Sequence, residues 1–298
     1  MDSLTWDPVH EQRTLYAEER MSTGTITDLD RYLFDLRGYL VLRNAVSKDQ
    51  VAAMNAIVDT MPNMEPGEWY GHVHRENFEA SRGIAYQQIY EAGEPFEALI
   101  DNPAWIEKVK TFIGGEGTFD YNNGELFIDE NFVSIRGPGG AIGLHSGGHQ
   151  GVKRTQYRYH NGQFMCGQIN ILLGLTDIGP RDGATMVIPG SHKANFEHPQ
   201  FAQQKIGDGA SVDGVEGAIE VHLDAGDAIL FVDALSHGSA KRVNEGERRI
   251  LVYRYGPAWG TFRFPYRPSQ ELLNRLTPRR RSIVLPQEPW KREPQVEA

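Results

Sequence analysis

Residues 228–239 read AILFVDALSHGS, and this stretch decides the fold. Its first five residues are all apolar, which is typical of a strand that is buried on both sides. Turn residues precede it at 225–227, and a histidine followed by glycine and serine closes it. We therefore predict a short buried strand that leads to His237 at the mouth of a sheet, where a ligand can approach.

Similar short strands follow one another from about residue 119 to residue 255. Glycine-rich turns separate them, for example at residues 137–140 and 182–183. Eight short strands at this spacing predict a mainly β fold with a double-stranded β-helix (jelly-roll) core. The predicted strands are residues 126–128, 132–135, 141–145, 163–175, 184–188, 218–223, 228–232 and 248–255.

The flanks of this core have a different texture. Capping residues Thr27 and Ser47 open helices that run from residue 28 and from residue 48 to about 61, and a third helix is predicted over residues 103–113. A short strand is predicted at residues 38–42 and a late helix at 269–276. We expect one domain over residues 1–298, which divides into a mostly helical flank (1–115), a jelly-roll core (116–260) and a C-terminal tail (261–298).

Composition narrows the functional classes. The net charge of −10 argues against a nucleic-acid or membrane-surface partner. Cys166 is the single cysteine, so no intramolecular disulfide can form, which fits a reducing compartment. The sequence has no secretory signal and no apolar run of about eighteen residues. We expect a cytoplasmic protein that acts on a small-molecule substrate, with its oligomeric state left open.

Two histidines carry the first indication of a metal site. His145 ends the predicted strand 141–144, and His237 follows a buried strand far along the chain. Non-haem Fe(II) oxygenases bind their metal with two histidines and one carboxylate on one face, and His-x-Asp often supplies one pair of ligands. Here Gly147 stands at the carboxylate position. The alternative is that loop carbonyls satisfy each histidine.

Arg248 adds an anion-binding group beside these histidines. It opens the strand 248–255, and Arg248, Ile250 and Val252 share one face because side chains alternate along a strand. An inward arginine can hold a carboxylate by a bidentate charge-assisted pair, which is what the distal end of 2-oxoglutarate requires. Arg249 faces the other way and serves as its control.

Polar residues also alternate along the predicted strand 163–175. Cys166, Gln168 and Asn170 share one face of an otherwise apolar segment. Polar side chains aimed into a barrel need hydrogen-bond partners. Two interpretations stay open: they bind cosubstrate or substrate, or they satisfy one another.

The chain resembles the phytanoyl-CoA dioxygenase family of Fe(II)/2-oxoglutarate enzymes. The resemblance covers roughly residues 30–255, and its most specific elements are residues 189–193 (PGSHK) and His237-Gly238-Ser239 with Arg248 eleven residues on. Weaker matches are residues 35–43 and 175–184. The resemblance implies that Fe(II) and 2-oxoglutarate are the cofactors, with metal ligands His145 and His237 and cosubstrate contacts from Arg248 and Ser239. Gln168 and Asn170 are added as cosubstrate-binding residues, and His192 is expected to be a turn residue.

Gly147 departs from the family's aspartate, and three interpretations follow. By resemblance to related halogenases, glycine opens a coordination site that chloride fills. Alternatively the protein is an oxygenase whose third position holds water, His149, or a carboxylate from elsewhere such as Asp129 or Glu130. The third interpretation is an inactive binding or scaffold protein. We take hydroxylation of a C–H bond as the default.

The substrate cannot be named from these residues. The chain is acidic, and its one strongly basic cluster, residues 279–281, is expected to be a solvated helix end, an ion-pair partner or a contact for an anionic substrate. We expect the pocket walls to come from aromatic and imidazole side chains outside the core strands: Trp69, Tyr70, His72, His74 and Trp259.

Overall fold

The structure is a computed structural model that describes residues 24–77, 82–114, 124–148, 155–207, 209–260 and 266–285. Its helices are α1 (Asp28–Arg37), α2 (Lys48–Asp59), α3 (Glu94–Glu97), α4 (Ile106–Ile113), α5 (Phe201–Gln204), α6 (Gln270–Arg275) and α7 (Pro278–Val284). Its strands are β1 (Tyr39–Leu42), β2 (Trp69–Tyr70), β3 (Val73–Arg75), β4 (Ile84–Gln87), β5 (Leu126–Arg136), β6 (Tyr159–His160), β7 (Gln163–Phe164), β8 (Ile169–Gly174), β9 (Thr185–Val187), β10 (Ile219–Val221), β11 (Ala228–Val232), β12 (His237–Ser239) and β13 (Arg248–Pro257). Short 3-10 turns cover Ile89–Ala92 and Ser191–Lys193.

An eight-stranded antiparallel sheet forms one wall of the molecule, in the order β1-β11-β8-β13-β5-β4-β3-β2. A three-stranded sheet, β10-β9-β12, forms the facing wall. Backbone bridges at Leu144 and His145 extend that smaller sheet beyond β12. Two facing antiparallel sheets confirm the predicted jelly-roll core.

The buried strand predicted at residues 228–232 is β11, and every residue of it is buried. It pairs with β1 on one side and β8 on the other, so its backbone groups are satisfied along both edges. Its side chains belong to one hydrophobic cluster that extends along the chain from Phe34 to Val284. The apolar run is therefore covered on both faces, as its composition predicts.

Strand β5 is continuous, whereas two strands, 126–128 and 132–135, were predicted. The residues between them are polar, and the structure satisfies each of them inside the sheet. Glu130 pairs with Arg254 at 3.1 Å, Asp129 accepts from Gln168 at 3.2 Å, and Asn131 donates to the Val252 carbonyl at 2.9 Å. Because these partners come from distant strands, the polar run resembled a turn in the sequence.

The strand predicted at residues 141–145 does not form, apart from the two bridges at its end. The Leu144 amide donates to the Gln204 carbonyl at 2.6 Å, so the segment follows an irregular loop. A Cβ on Gly143 would lie 2.7 Å from the carbonyl oxygens of both Gln204 and Lys205. That close approach of two backbones leaves no room for a regular ladder. The prediction for residues 163–175 was also too long, because it divides into β7 and β8.

The first part of the chain is less helical than predicted. Helices α1 and α2 begin after Thr27 and Ser47 as expected, and the Thr27 cap is a complete capping box. Strands β2, β3 and β4, however, lie in the predicted helical flank and extend the main sheet beyond β5. Each of these strands spans only two to four residues, which is too short to show a periodic pattern in the sequence.

The C-terminal basic run lies on helix α7, where it forms ion pairs. Arg279 contacts Glu107 at 2.9 Å and Arg280 contacts Asp101 at 2.6 Å. This agrees with the ion-pair alternative for residues 279–281. Among the described residues, no helix has the length and apolar character needed to cross a bilayer.

The turn at residues 189–193 locks the end of helix α1 to the loop before β12. The Nε2 atom of His192 bonds the Asp35 carbonyl at 3.0 Å, and its ring lies over Gly38, which has a φ of +83°. On the other side Ser191 Oγ accepts from the Ser236 amide at 2.8 Å. His192 is thus a structural turn residue, and the turn fixes the segment that leads into His237.

We predict that Gly38→Ala destabilises the protein by about 2–4 kcal/mol. An alanine there is strained by about 1–2 kcal/mol because of its positive φ. Its Cβ would also lie 2.5 Å from His192 Nδ1, so the turn must shift. Urea unfolding monitored by fluorescence measures the loss.

The matched control is Gly67→Ala. Gly67 has a φ of +90°, but nothing lies within 4 Å of the Cβ that would be added. Gly67→Ala should be destabilised only by the backbone strain of its positive φ, because the added Cβ makes no close contact. Equal losses for the two variants would contradict the close packing of His192 on Gly38.

Candidate active site

His145 and His237 face each other across the smaller sheet. Each backbone amide donates to the other residue's carbonyl at 2.9 Å, which makes them a reciprocal antiparallel pair. Their ring centroids are 4.1 Å apart. Two imidazoles at this separation can reach one divalent ion, since metal–nitrogen bonds are about 2.0–2.2 Å long. The structure therefore brings together the two histidines that the sequence singled out.

The backbone sets the tautomer of both rings. His145 Nδ1 lies 2.9 Å from the Gly143 carbonyl, and His237 Nδ1 lies 2.7 Å from the Leu235 carbonyl. A carbonyl only accepts hydrogen bonds, so each Nδ1 carries the proton and each lone pair is on Nε2. This is the arrangement in which metal-binding histidines are held by a second partner.

The His145 ring is also held in its neutral form. Burial lowers the pKa of His145 well below its usual value, and the neighbouring His237 lowers it further. Hydrogen bonding to Gly143 and the charge of Asp233 oppose this shift without cancelling it. A neutral imidazole near neutral pH is the form that binds a metal ion.

Arg248 lies inside the barrel beside a second arginine. It is 1% exposed, and Arg136, its direct cross-strand partner on β5, is 4% exposed. Like charges directly opposite each other across a sheet are destabilising. Burial lowers the pKa of Arg136 to about 10 and lowers the pKa of Arg248 well below its usual value, and the neighbouring Arg136 adds to the shift of Arg248. The pair is a buried concentration of positive charge.

Within the described part of the chain, neither guanidinium has an acidic partner. Arg248 Nη2 donates to Thr185 Oγ1 at 3.2 Å and Arg136 Nη1 donates to Ser239 Oγ at 2.6 Å. Arg248 Nε, Arg248 Nη1 and Arg136 Nε have no hydrogen-bond partner there. The nearby Arg242, by contrast, pairs with Asp182 at 3.2 Å. Buried donors without partners are costly, so this cluster fits an anion.

The arginine cluster is connected to the histidine pair through strand β12. Ser239 and Thr185 are directly paired across β12 and β9, and both accept from the arginines. Ser239 is two residues beyond His237 on the same face of β12, which is roughly 6–7 Å along a strand. That spacing suits a short dicarboxylate whose two ends are held at the two places.

The inner face of the main sheet continues past the arginines as an apolar floor. Ile250 and Val252 follow Arg248 on the same face of β13, and they pack with Phe132 and Ala184 in a small hydrophobic cluster. Arg254 comes next on that face, where it pairs with Glu130 at 3.1 Å and lies 3.8 Å from Asp233. The inward face of β13 thus begins with the cationic Arg248, continues with two apolar residues and ends with Arg254.

The space beside Gly147 is filled rather than open. A Cβ built on Gly147 would collide with Asp233 Oδ2 and with Thr155 Oγ1, and it would lie 2.9 Å from Asp233 Cγ. The Gly147 amide donates to the Asp233 carbonyl at 2.8 Å, which holds the two backbones together. The expectation of a gap at Gly147 therefore needs correction, because a carboxylate from another part of the chain lies there.

The remaining predicted residues are placed as follows. Asn170 Nδ2 donates to Asp233 Oδ1 at 2.8 Å and Gln168 Nε2 donates to Asp129 at 3.2 Å, so both hold acidic side chains. These hydrogen bonds go to acidic side chains elsewhere in the chain, and not from one of the three polar residues to another, as one of the two interpretations expected. Cys166 is buried in the hydrophobic core, and the burial raises its thiol pKa to about 12. His149 lies outside the described residues.

Arg249 faces away from the barrel, as its position next to Arg248 predicted. It pairs with Asp59 at 2.7 Å and with Glu247 at 2.8 Å. Among the expected pocket walls, Trp69 and Tyr70 are about half exposed, and Trp259 is exposed as well. Only Trp69 and His74 form a cluster, together with Tyr266, with ring centroids 4.7–6.1 Å apart.

Three residues of the site were missed in the sequence. Arg136 lies one residue beyond the end of the predicted strand 132–135. Because side chains alternate along a strand, that pattern would have placed it on the face that points into the barrel. Asp233 directly follows β11, where it resembled an ordinary turn residue. Thr185 carries no sequence signal, because a buried threonine in a strand is common.

Residues 34–250 match the family model of Phytanoyl-CoA dioxygenase (PhyH). The Dioxygenase cdmD of Talaromyces verruculosus is 25% identical in an alignment of length 269, and the match covers 83% of this chain and 80% of that protein. The peroxisomal phytanoyl-CoA dioxygenase of Mus musculus is 19% identical in an alignment of length 255, and the match covers 79% of this chain and 70% of that protein.

Solved structures share the fold. HygX from Streptomyces hygroscopicus, with nickel and 2-oxoglutarate bound, has a TM-score of 0.63 at 24% identity and covers 80% of this chain and 89% of its own. HygX has also been solved with iron, and with hygromycin B bound. The non-haem α-ketoglutarate-dependent epimerase SnoN has a TM-score of 0.50 at 11% identity, covering 84% of this chain and 83% of its own.

The arginine cluster leads to a stability prediction. Arg136→Met should leave the unfolding free energy unchanged or raise it by up to about 2 kcal/mol, because it removes a buried charge for which the described residues provide no acidic partner. This is opposite to what replacing a buried residue usually does. Urea unfolding in buffer without dicarboxylates measures the effect.

Arg242→Met is the control. It removes the partner of Asp182 and of the Glu245 and Gly246 carbonyls, and should cost about 1–3 kcal/mol. A loss above about 2 kcal/mol for Arg136→Met would mean that the arginine pair is stabilised by the protein itself and needs no anion.

Proposed function

The chain belongs to the phytanoyl-CoA dioxygenase family, and on that premise we propose that it is an Fe(II)- and 2-oxoglutarate-dependent oxygenase. Its proposed reaction is hydroxylation of a C–H bond in a small organic molecule. The observation that carries the proposal is the arginine pair, for which the described residues provide no acidic partner and whose hydrogen-bond partner Ser239 lies two residues along β12 from His237. A dicarboxylate held at both places accounts for both features.

Fe(II) would be held by the Nε2 atoms of His145 and His237. Both rings already have the required tautomer, and their backbone carbonyl partners keep them from turning. Imidazole is a suitable ligand for iron, and two histidines on one side leave room for further ligands. When bound, the metal supplies activation of O₂ beside the cosubstrate.

2-Oxoglutarate would be bound at its far end by Arg248 and Arg136. The two guanidiniums present three donors that have no partner among the described residues, and Ser239 and Thr185 each accept from one further nitrogen. A carboxylate placed there gains charge-assisted hydrogen bonds inside the barrel, where water does not compete. The apolar floor of Ile250 and Val252 excludes water from the space beside the cosubstrate.

The geometry beside Gly147 favours hydroxylation over halogenation. A halide needs an empty position next to the metal, and the position beside Gly147 holds the Asp233 carboxylate and Thr155. An anion would also be repelled by that carboxylate. Halogenation remains the second proposed function, since it rests on the glycine itself. An inactive binding protein is disfavoured, because it has no use for the arginine cluster beside paired histidines.

For the substrate we propose entry near the cluster of Trp69, His74 and Tyr266. His74 pairs with Gln87 across β3 and β4, and β4 is the neighbour of β5, which carries Arg136. Aromatic faces with an imidazole suit a small polar organic molecule. HygX is the relative whose structure contains hygromycin B, and we propose only the shared chemical class, a small molecule, for this chain.

Binding of 2-oxoglutarate tests the arginine assignment. Arg248→Ala should weaken it at least about 100-fold, because a buried carboxylate loses its main partner. Arg249→Ala, the control on the opposite face, should change the affinity by less than about twofold. Calorimetry with the anaerobic Co(II) protein gives both values. Equal effects of the two substitutions would refute the assignment.

Product analysis distinguishes hydroxylation from halogenation. With substrate, Fe(II), 2-oxoglutarate and ¹⁸O₂, we expect the product to carry one labelled oxygen atom and turnover to be the same with and without chloride. Mass spectrometry of the product measures both. A chlorinated product that forms only when chloride is present would establish the halogenase, and an unlabelled oxygen would rule out O₂ as its source.

A further inference from the structure

Asp233 occupies the place from which the family's carboxylate ligand would come. In the family pattern that carboxylate is carried two residues after His145, where this chain has Gly147. The Asp233 Oδ2 atom lies where the first side-chain atoms of residue 147 would be. The Asp233 carboxylate is 2% exposed. A buried negative charge next to two imidazoles is what a divalent cation requires.

Two hydrogen bonds to backbone carbonyls hold the segment that carries this carboxylate. The Asp233 carbonyl accepts from Gly147 at 2.8 Å, and the Ala234 carbonyl accepts from Ser146 Oγ at 2.7 Å. The loop after His145 and the loop before His237 are therefore fastened to each other. Asp233 is also only four residues before His237, so one segment can carry both groups to the same side of the smaller sheet.

From this placement we propose that Asp233 is the third protein ligand of the metal, in the role that an aspartate at position 147 has in the family pattern. The proposal rests on the proposed function, because it presumes that His145 and His237 bind the metal. Gly147 is then required by the neighbouring carboxylate, since any side chain there would collide with it. The triad has its usual composition, but its carboxylate comes from the other loop.

Metal binding must turn the Asp233 side chain. Among the residues that the structure describes, no three histidine, cysteine or acidic side chains already converge to hold a metal ion. Asp233 Oδ1 accepts from Asn170 at 2.8 Å and lies 3.8 Å from Arg254 Nη1. Arg254 has a nearer acidic partner in Glu130, at 3.1 Å. The carboxylate can therefore turn toward a cation without leaving Arg254 unpaired.

The test is anaerobic titration of Co(II), a spectroscopic substitute for Fe(II), into the full-length protein. Asp233→Asn should weaken Co(II) binding at least about tenfold. Asp227→Asn is the matched control, because it also removes a buried carboxylate that pairs with an arginine, Arg43, but one at the other end of β11 from Asp233. We expect the control to bind Co(II) within about twofold of the unchanged protein. Asp233→Asn with unchanged affinity, or equal losses in both variants, would overturn the proposal.

Exchange of the carboxylate between the two loops distinguishes a ligand from a structural residue. Asp233→Ala alone should lose Co(II) affinity, and the combination of Asp233→Ala with Gly147→Asp should recover most of it, because the Asp233 carboxylate no longer fills the space and only the Thr155 hydroxyl has to shift. Gly147→Asp alone should be destabilised. A folded double variant that recovers nothing would overturn the assignment of Asp233 as a ligand.

A structure of the Co(II)-loaded natural sequence keeps the proposal testable if the variants do not fold. We expect an Asp233 oxygen at about 2.0–2.2 Å from the metal. Metal bound by the two histidines with Asp233 still on Asn170, or a chloride-dependent change in the Co(II) absorption spectrum, would refute Asp233 while leaving the proposed function intact. A protein that binds no Co(II) at all would refute the proposed function itself.

Discussion

The reciprocal backbone pairing of His145 with His237 is the contact on which the site depends. It joins a loop to the edge of the smaller sheet, and it fixes the distance between two imidazoles through two hydrogen bonds of 2.9 Å. The same strand then fixes the second half of the site, since Ser239 follows His237 on one face and pairs with Thr185. The register of β12 therefore determines the positions of both the histidine pair and the Ser239–Thr185 pair, and the distance between these two pairs suits a small dicarboxylate. A slip by one residue would turn His237 and Ser239 to the other face together.

The arginine pair is a local energetic cost in the fold, which the proposed function explains by the binding of an anion. Arg136 and Arg248 face each other across two central strands, where apolar side chains would stabilise the core. Their neighbours are hydroxyl groups, which satisfy some donors but no charge. In the proposed function a bound anion removes this energetic penalty, so the cost in the free protein would become affinity in the bound one. Sites that bind charged cosubstrates are expected to conflict with core packing in this way.

Much of this arrangement could be predicted from local sequence. The apolar run of β11, the caps at Thr27 and Ser47, and the two faces of Arg248 and Arg249 all follow from side-chain periodicity or capping chemistry. What could not be predicted depends on partners that are distant in the chain. Strand β5 continues through Asp129-Glu130-Asn131 only because Arg254, Gln168 and other groups satisfy these residues, and Arg136 belongs to the site only because β5 pairs with β13 in one register.

Gly147 illustrates the same limit most sharply. In the sequence, a glycine at a ligand position indicates that a ligand is missing, and from that an open coordination site follows. In the folded chain the glycine is the contact surface for another loop, whose Asp233 carboxylate fills the space a side chain would need. An absent side chain therefore has two physical meanings, an empty space or a space that another residue fills. Only the tertiary pairing of the two loops tells them apart, and here that pairing supplies a negative charge beside the histidines.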